Sequence, residues 1–193
     1  MTEYNIDLAE KVLKSIINNP DKHDQGSWFV TDEEAVWDGK RMVMGLEDMA
    51  EDGCGTSACA AGWAVLHDGW KYIEELVSYG DEWEPRRFEK IVKGDQTISE
   101  PNFVQMGKDL LGLSREEAGE LFLVADETRA IATLYSIVVN NAIPKEFSPD
   151  YFPLRASLEG IEEDYMIDHI AEQEREAIAA ELCSAAYAKY EEY

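Results

Sequence analysis

Apolar positions 6, 9, 12, 13, 16 and 17 recur at helical spacing, which predicts an amphipathic helix closed by Pro20. Ser27-Trp28-Phe29-Val30 reads as a short strand, and Val36-Trp37, Asp38-Gly39 and Arg41-Met42-Val43 read as a hairpin around a type I′ turn. Residues 46–53, LEDMAEDG, give one helical turn and a loop. A helix capped by Thr56 or Ser57 should run to His67 and stop at Asp68-Gly69, with residues 70–79, WKYIEELVSY, as a further helical segment. Residues 88–92 and 96–98 around Lys93-Gly94-Asp95 form a second small hairpin.

The later pattern is clearer. Ser99 should cap a helix that has Pro101 in its first turn and carries Phe103, Val104, Gly107, Leu110 and Leu111, with Gly112 at its end. Ser114 and Glu117 spell a capping box, after which Ala118, Leu121 and Phe122 face inward. Asp126 caps a third helix over 127–139, apolar nearly all round and therefore expected at the centre of the core. From about Glu159 the chain reads as one long helix to Tyr190, either packed on the domain or paired with a second copy. The expected fold is mainly α: a compact helical domain with one or two small β-hairpins and a long acidic C-terminal helix. Its divisions are a core domain over 1–140, a connector over 141–158 carrying Pro144, Pro149 and Pro153, and an acidic helix over 159–193.

Charge narrows the function. The 193 residues hold 41 acids and 17 bases, a formal net charge of -24. Binding phosphates requires Lys and Arg to displace counterions, so this field disfavours direct contact with nucleic acid or anionic lipid and favours a basic partner. A general adaptation to solubility or to salt is the bland alternative. Hydrophobic residues make up 45%, enough for a sizeable core. The charged start, MTEYNIDLAEK, shows no secretory signal, and no apolar run reaches membrane-spanning length, so a cytoplasmic location is expected.

The least ordinary stretch is CGTSACAAGWA, residues 54–64, with two of the three cysteines. Cys54 and Cys59 have C-x4-C spacing, but a zinc site would need two further ligands from Cys183, His23, His67 and His169. Cys54, ahead of a helix N-terminus, could be a thiolate nucleophile with His23 or His67 as base, or a redox partner of Cys59. The favoured reading is structural: Cys59, Ala60, Ala61, Gly62 and Ala64 give a helix that other elements approach closely. No metal, cofactor or catalytic residue is assigned.

CGTSACAAGWA resembles a CGTxxCxAGWA-like signature of a family of uncharacterised bacteriophage and bacterial proteins. In that family a Gly-Ser-Trp segment like Gly26-Ser27-Trp28 precedes the signature, and a helix pair like the one from Leu110 to Phe122 follows it. The resemblance covers residues 5–140 loosely. It implies a mostly helical phage-type protein, in the host cytoplasm if phage-encoded, and transfers no catalytic residue. The acidic tail and residues 31–52 depart from the pattern.

The stretch LLGLSREEAGELF also resembles a helix-turn-helix joint, but Glu116, Glu117 and Glu120 crowd the helix that would read bases, so a generic helical corner is expected. The five tryptophans fall between residues 28 and 83, and a ligand pocket there would use Trp28, Trp63, Trp70 and Cys54, with core packing the favoured alternative. The tail over 159–193 has 11 acids and two bases. Glu162, Glu163, Asp164, Asp168, Glu172, Glu174 and Glu176, with Glu47, Asp48, Glu51 and Asp52, form the expected recognition surface for a basic protein. Carboxylates at fixed intervals can imitate the phosphates of DNA. The leading expectation is a non-enzymatic, phage-type acidic protein that binds a basic, nucleic-acid-handling or host-defence enzyme and inhibits it by competing with nucleic acid. The alternatives are a small-molecule-binding protein or thiol enzyme using the tryptophan region and Cys54, and an assembly component that forms a homo-oligomer through the C-terminal helix.

Overall fold

The computed structural model describes residues 3–30, 41–49, 57–77, 86–148 and 164–190. Over these the protein is mainly α, with a four-stranded antiparallel sheet against the helices. Helix α1 (Ile6–Asn18) buries the six side chains Leu8, Ala9, Val12, Leu13, Ile16 and Ile17. Each large one contributes about 1.5–3 kcal/mol by leaving water. Asn5 caps the helix through Oδ1, which accepts the Leu8 N–H at 3.2 Å. A 3₁₀ turn over Pro20–Lys22 follows, and β1 (Phe29–Val30) pairs antiparallel with β3 (Ser57–Ala58).

The main sheet has the order β2-β4-β5-β6, with β2 at Arg41–Met44, β4 at Lys71–Val77, β5 at Arg86–Lys93 and β6 at Gln96–Ser99. Met44, Tyr72, Ile91 and Ile98 stand in register across it, and the first three are buried. The expected β5–β6 hairpin is present, its turn made by Gly94 at φ +56° and Asp95. The expected helix over 70–79 is a strand instead. β4 is paired on both edges, and Tyr72, Ile73 and Glu74 are all buried. Burial on both faces erases the period-2 alternation that marks a strand in sequence, and tertiary pairing overrides the local helical preference. β2 pairs with β4, and residues 36–37, the other half of the expected hairpin, lie outside the described residues. A short helix, α2 (Leu46–Met49), follows it, where one helical turn was expected.

Helix α3 (Ala60–His67) is the most enclosed element, with every residue from 60 to 66 buried. It starts later than expected, because Ser57 is engaged in β3 and Cys59 takes the N-cap position. Asp68 and Gly69, the latter at φ +86°, end it as expected. Its small residues permit close approach. A Cβ on Gly62 would fall 2.5 Å from the Trp28 carbonyl oxygen, and one on Gly107 of the next helix would fall 3.0 Å from the Ala61 Cβ.

That next helix, α4 (Phe103–Leu111), is capped by Asn102 rather than Ser99, which pairs with Lys90 in the sheet. Gly112 closes it at φ +71° with the Glu3 carbonyl oxygen against its α-carbon, as the Asn5 N–H donates to the Leu111 carbonyl. Helix α5 (Arg115–Gly119) carries the expected Ser114–Glu117 capping box. Helix α6 (Glu127–Asn140) is capped by Asp126 and buries residues on nearly every side. A 3₁₀ turn at Lys145–Phe147 follows, and helix α7 (Asp164–Tyr190) lies against α6 and α1. Over residues 171–190 it buries Ala171, Ala179, Ala186 and Tyr190. Arg129 of α6 pairs with Glu172, Arg175 donates to the carbonyls of Glu146 and Ser148, and the Tyr190 hydroxyl donates to Glu10 at 3.2 Å.

Candidate functional site

Residues 121–124 are four consecutive apolar side chains, and a helical corner cannot bury all of them. α5 runs on from Gly119 into a π-helical turn, Glu120–Val124, closed by the Ala125 N–H donating to the Glu120 carbonyl at 2.8 Å. Leu121 and Phe122 point into the core, while Leu123 and Val124 are 65% and 59% exposed. π turns leave backbone groups displaced from the regular ladder. Here the Leu121 carbonyl accepts a hydrogen bond from Gln25 Nε2 at 2.6 Å. The other end of the same buried amide, Oε1, accepts the Ala60 N–H at 3.3 Å. One glutamine therefore ties the π turn to the first turn of α3.

Beside the turn lies a concavity of about 460 Å³, with Trp28 and Phe122 in its walls, Leu123 and Val124 along one side, and Asp24, Asp126 and Glu127 among its lining. Asp24 Oδ1 accepts the Gly26 N–H at 2.9 Å, and Asp126 Oδ1 accepts the Arg129 N–H at 2.8 Å, which fixes both carboxylates in place. Among the described residues no cation forms a salt bridge with Asp24, Glu120, Asp126 or Glu127. On the other flank of the turn a smaller cavity, about 230 Å³, is walled by Leu121, Ile143 and Phe147, with Glu116 and Glu120 also in its lining. Its one arginine, Arg129, is committed to Glu172.

The expected pocket residues separate. Trp28 lines the larger cavity, while Trp63 is 2% exposed in the core and Trp70 is buried, with its indole N–H donating to Asp68 Oδ2 at 3.0 Å. Neither Trp63 nor Trp70 lines a described cavity. The expected acidic surface is spread across the molecule. Glu47 pairs with Lys71, and Glu172 is engaged by Arg129 and Arg175. Glu174 and Glu176 lie on α7, the latter exposed, and Asp164 and Asp168 lie near the start of that helix, with Asp48 on α2. Glu51, Asp52, Cys54, Glu162 and Glu163 lie outside the described residues.

Cys59 is fully buried, and burial pushes its thiol up to about 11 against the weaker pull of the Gly62 and Ala61 N–H groups, so it is protonated and shielded. Burial also raises Cys183. His67 bonds Ser15 Oγ at 2.7 Å and His23 bonds the Ala58 carbonyl at 3.1 Å. Burial lowers both imidazoles, which keeps them neutral. Among the described residues no three His, Cys, Asp or Glu side chains converge as metal ligands, and no helix is long and apolar enough to cross a membrane.

Sequence reasoning missed Gln25, Leu123 and Val124. The apolar run at 121–124 signalled the last two, because only two of four successive positions can face one core. Nothing local in the sequence signalled Gln25. Comparison of the chain with family models, with curated proteins and with solved structures finds no match, so the functional reading rests on this geometry and on charge.

Proposed function

We propose that this chain is a non-enzymatic acidic protein that binds a basic protein partner and competes with nucleic acid for it, the partner being a nucleic-acid-handling or host-defence enzyme. The observation that carries the reading is the net charge of -24 on 193 residues. A field of that size accelerates encounter with a basic surface and repels phosphates. The placement of the scarce bases is in keeping with it. Arg129 and Arg175 hold α7 against α6 and the 145–148 turn and neutralise Glu172, whereas Glu176 on the same helix stays exposed. The phage-type assignment rests on the motif resemblance at residues 54–64.

The test is capture. The tagged full chain is incubated with cell lysate, washed at low and then high salt, and the retained proteins are challenged with duplex DNA. A basic nucleic-acid-binding protein released both by salt and by DNA is the expected result. Absence of any partner at low salt would overturn the reading.

A further inference from the structure

We propose that the concavity between the Gly26-Ser27-Trp28 segment and the π turn is the docking site for a short basic segment of the partner in which arginine or lysine side chains flank an apolar one. This rests on the reading above and localises it.

Three observations converge on that occupant. The first is apolar. Leu123 and Val124 are the two most exposed large hydrophobic residues among those described, and they are adjacent in sequence. Single exposed apolar side chains are ordinary, but a pair beside a concavity with an aromatic wall marks a contact surface. The second is rigidity. The π-turn closure and the Gln25 bond to the Leu121 carbonyl hold the turn, and the capped start of α6 follows it directly, so the apolar pair is presented by a fixed element. Such presentation lowers the ordering cost of association.

The third is charge, and it decides the partner's chemistry. Asp24, Asp126 and Glu127 line the concavity and Glu120 begins the turn, all without a salt bridge among the described residues. An apolar centre with an acidic border repels acidic and anionic ligands and complements a cationic segment with an apolar anchor. Trp28 adds an aromatic wall suited to a cation, guanidinium above all. The volume, about 460 Å³, is large enough to admit more than one side chain.

The test uses two fluorescein-labelled peptides, one alternating arginine with leucine and one in which serine replaces every leucine. Binding to the full-length protein is followed by fluorescence anisotropy at physiological salt. The leucine peptide should bind about tenfold more tightly than the serine peptide. Leu123→Ser with Val124→Ser should erase that advantage and leave the serine peptide unaffected. Asp126→Asn with Glu127→Gln keeps the helix cap, because asparagine caps as aspartate does. It should weaken the leucine peptide by several-fold, and more than the equal charge removal at Glu176→Gln with Glu181→Gln on α7. Circular dichroism confirms that each variant is folded.

Equal binding of the two peptides would show a charge field without a site, overturning this proposal and sparing the general one. Tight leucine-peptide binding insensitive to the Leu123 and Val124 changes would place the contact elsewhere, with the same consequence. No binding of either peptide even at low salt would overturn both. A fall in sedimenting mass on the Leu123 and Val124 changes would assign the patch to a second copy of the chain and overturn the proposal.

Discussion

Two stretches of this chain are equally apolar and meet opposite fates. Residues 60–66 of α3 are buried throughout, whereas residues 121–124 of the π turn bury their first two side chains and expose the next two. Composition explains the difference. Five of the seven residues in the first stretch are alanine, glycine or valine, so β1 and α4 can press against it from different sides. The second stretch is built of leucine, phenylalanine and valine on a corner between α5 and α6, and its outer two side chains stay exposed. A run of hydrophobic residues therefore reads as core only where neighbouring elements can surround it.

The sharpest way to break the contrast is at Gly62. A Cβ there would meet the Trp28 backbone oxygen at 2.5 Å, and backbone cannot swing aside. Gly62→Ala should cost about 3 kcal/mol in urea unfolding, at the upper end of overpacking penalties. Next is Gln25, which joins the two stretches. Gln25→Leu leaves the Ala60 N–H and the Leu121 carbonyl without this partner, and should cost about 2 kcal/mol, with faster amide exchange at Ala60.

A third effect is set by pH. His67 has its imidazole lowered by burial and by the nearby Lys11 charge, from an ordinary value of 6.5. Below that value the unfolded chain binds the proton more readily than the folded one. The stabilisation is thus complete above about pH 6.5 and declines as the pH falls. Urea midpoints measured from pH 7.5 to pH 5.5 should fall for the native chain and fall less for His67→Asn. The carboxylates at Glu10, Glu47 and Asp109 are shifted down by lysine partners, so their transitions lie at lower pH, outside this window. The smallest effect is expected at the exposed pair: Leu123→Ser with Val124→Ser should change stability by no more than about 0.5 kcal/mol, because neither side chain is buried. A large loss there would mean that the corner is structural.

The amphipathic helices were legible because their signals are local. The six inward residues of α1, the Ser114–Glu117 box, the Asp126 cap and Gly112 all act within a few residues of one another. β4 was not legible, since its identity comes from β2 and β5 and its two-sided burial removes alternation. The start of α3 was misplaced for a related reason: Ser57 has the chemistry of a cap but is claimed by a strand pair with Val30. Of the candidate site, the acidic excess and Trp28 were visible in sequence. The link between residues 25, 60 and 121 was not, because a glutamine's partners are fixed only by the fold.

The packing of α7 on α1 bears on the order in which the protein is made. Tyr190 reaches Glu10, and Lys14 lies over the Tyr190 ring at 5.4 Å, so the first helix is finished by one of the last residues described. During synthesis α1 leaves the ribosome with six apolar side chains and waits until the residues of α7 have followed before that neighbour arrives. Such long-range closure slows folding and prolongs the exposure of sticky surface. A net charge of -24 opposes association between such partly folded chains.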